Sequence, residues 1–197
     1  MLPGRVAAGD AGTSGLVMFS GRRDDGRPFI LYEVHGGGEG GSADRDGTNA
    51  IRVTMSNVMN TPVEVIESEY PLSLECCELR PDSAGRGRHR GGLGLRRAYR
   101  LLAPAGELTT MAQRVRIPPW GVLGGAGAAP FRITLVRDEA RVPVRGKENR
   151  DLVQDDQVIV ETCGGGGFGL PAERPAELRE ADIAGGYVTD PEGRRGA

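Results

Sequence analysis

The glycines of this 197-residue chain are grouped, and the grouping limits the folds open to it. There are 32 of them, against roughly 14 at the usual ~7%, with clusters at 36–41, 85–94, 124–127 and 164–169. Strand-like runs separate the clusters, and no low-complexity tract repeats. That placement fits tight turns, where glycine takes φ > 0 without strain, and close approaches of one backbone to another in a β-rich fold.

The strand signal is carried by short runs bounded by glycine or proline. After a turn-rich start, Leu16 to Phe19 is a brief apolar run, and Phe29 to Val34 reads as a strand. Ala50 to Met55, Leu74 to Leu79, Leu95 to Leu102, Leu108 to Val115, Phe131 to Val136 and Gln157 to Glu161 read the same way. A helix start is marked by Thr61 and Glu64 as a capping-box pair, with Pro62 at the first helical position. Val63, Ile66 and Tyr70 give that segment one apolar face, and Pro71 ends it. A last helix is expected from Ala176 to Ile183. Connections are mostly too short for βαβ crossovers, so the expected class is α+β, predominantly antiparallel β with a few short helices, in a single domain over 1–197.

Charge and composition narrow the function. Net charge is −2, which gives no field favouring nucleic acid or acidic membranes. The basic segment Arg86, Arg88, His89, Arg90, Arg96, Arg97 and Arg100 lacks interleaved aromatics apart from Tyr99. It reads as a solvated loop or subunit contact, with an anion site as the alternative. Cys76, Cys77 and Cys163 are few and oddly spaced, which fits a reduced, cytoplasmic protein. Cys76 and Cys77 are adjacent in a strand and should face opposite ways. The start of the chain has no apolar run of signal-peptide length, and no stretch is long enough to span a bilayer.

Several motifs match by letter but lack the context their chemistry needs. Gly36, Gly38, Gly41 and Gly164, Gly166, Gly169 both fit G-x-G-x-x-G, yet neither is set between a strand and an immediate helix. Gly146-Lys147 is followed by Glu148, which breaks the phosphate-loop pattern. His35 and His89 are far apart, and Asp44 with Asp46 reads as turn carboxylates, so no metal ligand is assigned. No nucleophile motif is present. Trp120, the only tryptophan, follows the stiff pair Pro118-Pro119; it either packs over a sheet or walls a substrate cavity or interface.

Asn57-Val58-Met59-Asn60-Thr61-Pro62-Val63-Glu64 is followed by Glu78-Leu79-Arg80-Pro81-Asp82-Ser83 and by Gly87-Arg88-His89-Arg90-Gly91-Gly92-Leu93-Gly94-Leu95. In this order they resemble the C-terminal part of the hydantoinase B/oxoprolinase family. Arg27-Pro28-Phe29-Ile30, Asp46-Gly47, Pro118-Pro119-Trp120-Gly121 and Cys163-Gly164-Gly165-Gly166-Gly167-Phe168-Gly169 extend the resemblance along nearly the whole chain. An acidic residue is common in the family where Leu170 stands.

The resemblance implies part of an ATP-dependent hydrolase of cyclic amides such as hydantoins or 5-oxoproline, in the cytoplasm, with ketone carboxylation as the family alternative. A non-catalytic β-rich assembly module is the reading of another class. The implied partners are a hydantoinase A-type ATP-using subunit and the family's N-terminal half, in an oligomer. The partner phosphorylates the substrate oxygen, and ATP and a divalent metal are expected elsewhere in the complex, with no cofactor held by this chain. Asp46, Asn57, Asn60, Glu64 and Trp120 are the substrate-side candidates, while Asn57 and Asn60 also suit a turn-fixing role.

Overall fold

The structure, a computed structural model, describes residues 4, 6–12, 15–51 and 59–189. All pairings between its strands are antiparallel, and the strands form two sheets. The first sheet is ordered β2 (Pro28–His35), β1 (Gly15–Arg22), β5 (Ala105–Ala112), β8 (Lys147–Val153). The second is ordered β3 (Leu72–Leu79), β4 (Leu95–Leu101), β9 (Gln157–Glu161), β6 (Arg132–Arg137), β7 (Ala140–Val144). Alternate residues of both sheets meet in one core. Val17, Phe19, Leu31, Leu108 and Leu152 come from the first sheet; Leu72, Tyr99, Leu101, Ile133, Leu135, Val158 and Val160 come from the second. The Phe19 and Tyr99 rings meet across it with centroids 5.1 Å apart. This is the sheet-on-sheet arrangement in which each inner face supplies half the core.

The helices are short. α1 (Val63–Glu69) adds the fully buried Ile66 to that core. It begins after Pro62, one residue later than the capping pattern predicts, and no side chain caps it. The Thr61 N–H is taken instead by Glu33 Oε1 at 3.2 Å, and Pro62 O accepts from the Ile66 N–H. α2 (Ala176–Ala184) lies where the sequence puts the last helix. No helix among the described residues is long and apolar enough to cross a membrane.

Strands absent from the sequence reading are the polar or interrupted ones. β8 reads Lys-Glu-Asn-Arg-Asp at its start, and β7 carries Pro143. Both lie at sheet edges, where charge and proline are tolerated because one side of the strand has no partner. The run Leu108 to Val115 is displaced: β5 begins at Ala105 and stops at Ala112. Of the strand expected at Ala50 to Met55, Ile51 makes an isolated bridge to Gly37, and residues 52–55 lie outside the described residues. In β3 the pairing with β4 shifts between Leu74 and Cys76, so Glu75 is an extra bulged residue.

The glycine clusters build a second unit beside the sandwich. Residues 163–169 run through its middle. Gly165 N donates to Gly92 O, and Gly165 O accepts from Gly85 N. Gly166 N donates to Gly9 O and its carbonyl accepts from Gly41 N; Gly167 N donates to Ala126 O and its carbonyl accepts from Val122 N. Three successive residues thus bond to three different pairs of neighbours. A β-strand offers only two sides, so this pattern belongs to an extended thread with about three residues per turn. Within the four clusters positive φ occurs only at Gly124 and Gly169. Elsewhere closeness, not turning, demands glycine: a Cβ on Gly165 would sit 1.8 Å from Glu39 O, and one on Gly91 would sit 1.8 Å from Gly165 O.

Candidate functional site

Backbone threads packed this closely leave no room for side chains between them, so the polar residues gather at the margins of the bundle. One group surrounds Asp46. Its carboxylate accepts both Nη atoms of Arg174 at 2.8 Å and the Arg90 N–H at 2.9 Å. Arg174 and Arg90 also grip Asp182 of α2, at 2.7 and 2.9 Å, and Arg90 stacks over Tyr187. Burial alone would raise the Asp46 pKa, but the Arg174 hydrogen bonds and the charges of Arg174 and Arg90 outweigh it and hold the carboxyl below its ordinary value. The paired, ionised carboxylate clamps α2 to the bundle.

A second group runs from the core toward the threads. His35 is buried, with Nδ1 3.0 Å from Gly15 O and Nε2 2.8 Å from the Tyr99 hydroxyl. Arg97 Nη1 donates to the same hydroxyl at 3.2 Å and faces Glu33 Oε2 at 3.8 Å. Glu33 Oε2 is buried and has no hydrogen-bond partner among the described residues. Burial pushes the Tyr99 hydroxyl pKa up, so it stays a neutral link between His35 and Arg97. Beyond His35 lies a cavity with room for about one water molecule, bordered by Gly12, Gly36, Phe131, Thr162 and Cys163. Cys163 is fully buried, and that burial pushes its thiol up to about 11.

The third group is at the surface. Trp120 has its carbonyl locked by the Gly9 N–H, while the residue as a whole is 55% exposed. The Arg114 guanidinium lies over that ring, 4.8 Å from its centroid. The backbone bond to Gly9 holds the loop that carries Trp120.

The remaining candidates are dispersed. Asn57 lies outside the described residues. Asn60 is half-buried ahead of α1, and Glu64 is exposed on its first turn. The arginines of the basic segment are not open to solvent as a set. Arg97 is buried, Arg96 and Arg100 pair with Glu78 and Glu75, and Arg90 holds Asp182, so the chain's own carboxylates take the charge. Sequence reasoning passed over Glu33 and Arg174 because their partners Thr61 and Asp46 lie 28 and 128 residues away.

Metal binding finds little to work with. Among the described residues no three His, Cys, Asp or Glu side chains gather as ligands. Both ring nitrogens of His35 are engaged, and His89 Nδ1 is 3.9 Å from an Asp46 oxygen that already accepts Arg174. A cation there would have to displace a guanidinium. Asp44 accepts the Ser42 hydroxyl in a local turn.

Comparison with known proteins adds the rest. Residues 1–171 match the family model described as hydantoinase B/oxoprolinase. An uncharacterized protein of Methanocaldococcus jannaschii is 40% identical over 92% of the chain and 31% of its own length. A putative D-/L-hydantoinase subunit of a Pseudomonas species is 32% identical over 96% of the chain and 32% of its own length. The chain thus spans about a third of the length of these relatives. Among solved structures, an ATP-dependent caprolactamase from Pseudomonas jessenii shares the fold with a TM-score of 0.85 at 23% identity, over 95% of this chain and 34% of that one. An acetone carboxylase shares it with a TM-score of 0.83 at 21% identity, over 94% and 29%.

Proposed function

The chain belongs to the hydantoinase B/oxoprolinase family, and from that membership we propose that it serves, as the C-terminal portion of such a protein, in the ATP-dependent opening of a cyclic amide. The observation that carries the reading is the 32% identity with the Pseudomonas hydantoinase subunit along 96% of the chain. A 5-oxoprolinase of Arabidopsis thaliana, 32% identical over 72% of the chain, points the same way. Both sequence relatives favour hydrolysis over carboxylation. The acetone carboxylase likeness is one of fold.

An amide carbonyl is a poor electrophile, and phosphorylation of its oxygen by an ATP-using partner would open its carbon to water; the ring C–N bond then breaks, releasing the amine, and a second water hydrolyses the acyl phosphate left behind to carboxylate and phosphate. The ATP site, and the divalent metal that would activate water, belong in this reading to the rest of a cytoplasmic, oligomeric complex. This chain contributes the frame. Its glycine threads fix the backbone of Trp120 at one margin, and at another the Arg90 N–H holds the Asp46 carboxylate. In this reading Trp120 meets the substrate, with Asn60 ahead of α1 and Glu64 on its first turn as further candidates, while Asp46 holds α2 in place.

Reconstitution tests the proposal. The chain is combined with the remaining two thirds of a hydantoinase B-type protein and a hydantoinase A-type partner. ATP-dependent ring opening of 5-oxoproline or hydantoin that requires this chain is the expected result. Bicarbonate-dependent carboxylation of acetone instead would favour the carboxylase, and assembly without turnover would make the chain a structural module.

A further inference from the structure

Arg114 lies over the Trp120 ring, and its surroundings are unusual. It sits at φ 59, a left-handed conformation uncommon for a residue with a side chain. The Arg114 carbonyl is held there by the Phe131 N–H at 3.1 Å. Its Nε is sealed from solvent and has no hydrogen-bond partner among the described residues. No carboxylate among them forms an ion pair with this half-buried arginine, whereas the fully buried Arg80, Arg97 and Arg174 each face one. The side chain crosses Gly12, where a Cβ would lie 3.4 Å from Nε, and ends on the exposed face of Trp120.

A buried charged donor without an acceptor is costly, and strained backbone persists where the surroundings impose it, often at ligand clamps. Stacking on Trp120 fixes the plane of the guanidinium while leaving its edge to meet a ligand. An oxyanion meeting the Nη edge would give that end of the N–H fork its oxygens and the guanidinium a charge to neutralise, while Nε stays sealed inside.

We propose that Arg114 and Trp120 form a binding site for the oxyanion group of a small molecule, a carboxylate or a phosphoryl group, with Arg114 gripping the oxygens and Trp120 flanking the ligand. Asp10, whose carboxylate accepts the Gly12 N–H, marks the Gly12 end of the site. This deepens the cyclic-amide reading by giving the charged end of a substrate such as 5-oxoproline a receptor. Binding does not require turnover, so the two can fail separately.

The single tryptophan makes the test direct. The chain is titrated with L-5-oxoproline, with inorganic phosphate, and with 2-pyrrolidinone, the ring without its carboxylate, at constant ionic strength set by chloride. A saturable change in Trp120 emission with 5-oxoproline assigns the site to carboxylates, and one with phosphate alone assigns it to phosphoryl groups. 2-Pyrrolidinone should bind roughly tenfold more weakly or worse, and Arg114→Gln should weaken the anion by the same factor or more, as loss of a charged hydrogen bond does. Arg114→Lys keeps the charge and should lose affinity severalfold for want of the fork; it is the variant to rely on if Arg114→Gln does not fold. No emission change with either anion beyond the chloride control, or unchanged affinity in both variants, would overturn the proposal, whatever the reconstituted complex does.

Discussion

Replacing Gly165 by alanine tests the close-packed bundle at its centre. The new Cβ would stand 1.8 Å from Glu39 O, 2.3 Å from Glu39 C and 2.7 Å from Gly40 N, all backbone atoms that no rotamer change can move. Relief to a C···O contact of about 3.3 Å needs a shift of roughly 1.5 Å. Glu39 O accepts from Gly92 N at 2.7 Å, Gly165 N donates to Gly92 O at 2.9 Å, and Gly165 O accepts from Gly85 N at 2.8 Å. A displacement of that size takes such bonds out of range. Losing two or three of them, each leaving a buried group unpaired at about 1–3 kcal/mol, costs on the order of 3–6 kcal/mol. Reduced freedom of the unfolded chain returns only about 0.4–1 kcal/mol. With an m-value of roughly 2–3 kcal/mol/M, the urea midpoint should fall by about 1–2.5 M. The assay is urea unfolding followed by Trp120 emission and far-UV dichroism, with Gly127→Ala as the control. At Gly127 the nearest atom to the new Cβ is Pro119 O at 3.3 Å, so that variant should stay within about 1 kcal/mol. If Gly165→Ala moves the midpoint no further than Gly127→Ala, the close packing is not what makes glycine necessary.

Other outcomes follow from the same contacts. Asp46→Asn should cost about 1–3 kcal/mol, less than a fully buried pair because Asp46 keeps 26% side-chain exposure. Its depressed pKa gives stability that is present above the unfolded value near 3.8 and lost as pH falls through the lower folded one, so the gap between wild type and variant should narrow in acid denaturation below about pH 4. Cys163 has the opposite sign: its thiol stays neutral to about 11 when folded, so stability should drop by roughly 2–3 kcal/mol as pH rises from about 9 to 11, and Cys163→Ala should flatten that loss in alkaline urea titrations. In native thiol labelling the exposed Cys77 should react first and Cys163 only on unfolding. Tyr99→Phe removes the hydroxyl shared by His35 and Arg97 and should cost about 1–3 kcal/mol in the same urea assay.

The sequence carried the sheet content because short apolar runs mark strands that pack into a core, as in Phe29 to Val34 and Gln157 to Glu161. It missed β7 and β8 because an edge strand needs few apolar residues. The capping pair at Thr61 and Glu64 failed for a tertiary reason: Glu33, 28 residues earlier, holds the Thr61 N–H. The glycine clusters were legible as close approaches, but their threefold bonding depends on which distant threads surround residues 163–169, and spacing within a cluster does not encode that. The same limit hid the partners of Asp46, which lie 44 and 128 residues away. Trp120 could be picked out by its rarity; the orphaned Nε of Arg114 beside it could not.

The glycine threads also bear on how stability changes with temperature. Burying peptide groups against one another removes polar surface from water, and re-exposing polar surface lowers the heat capacity of unfolding, whereas re-exposing hydrocarbon raises it. A chain that devotes much of its interior to peptide–peptide contact should unfold with a heat-capacity increment below the usual ~12–15 cal/mol/K per residue. Its stability curve would then be shallow and broad, changing little between cold and warm conditions, a property set by the threads and independent of any chemistry at their margins.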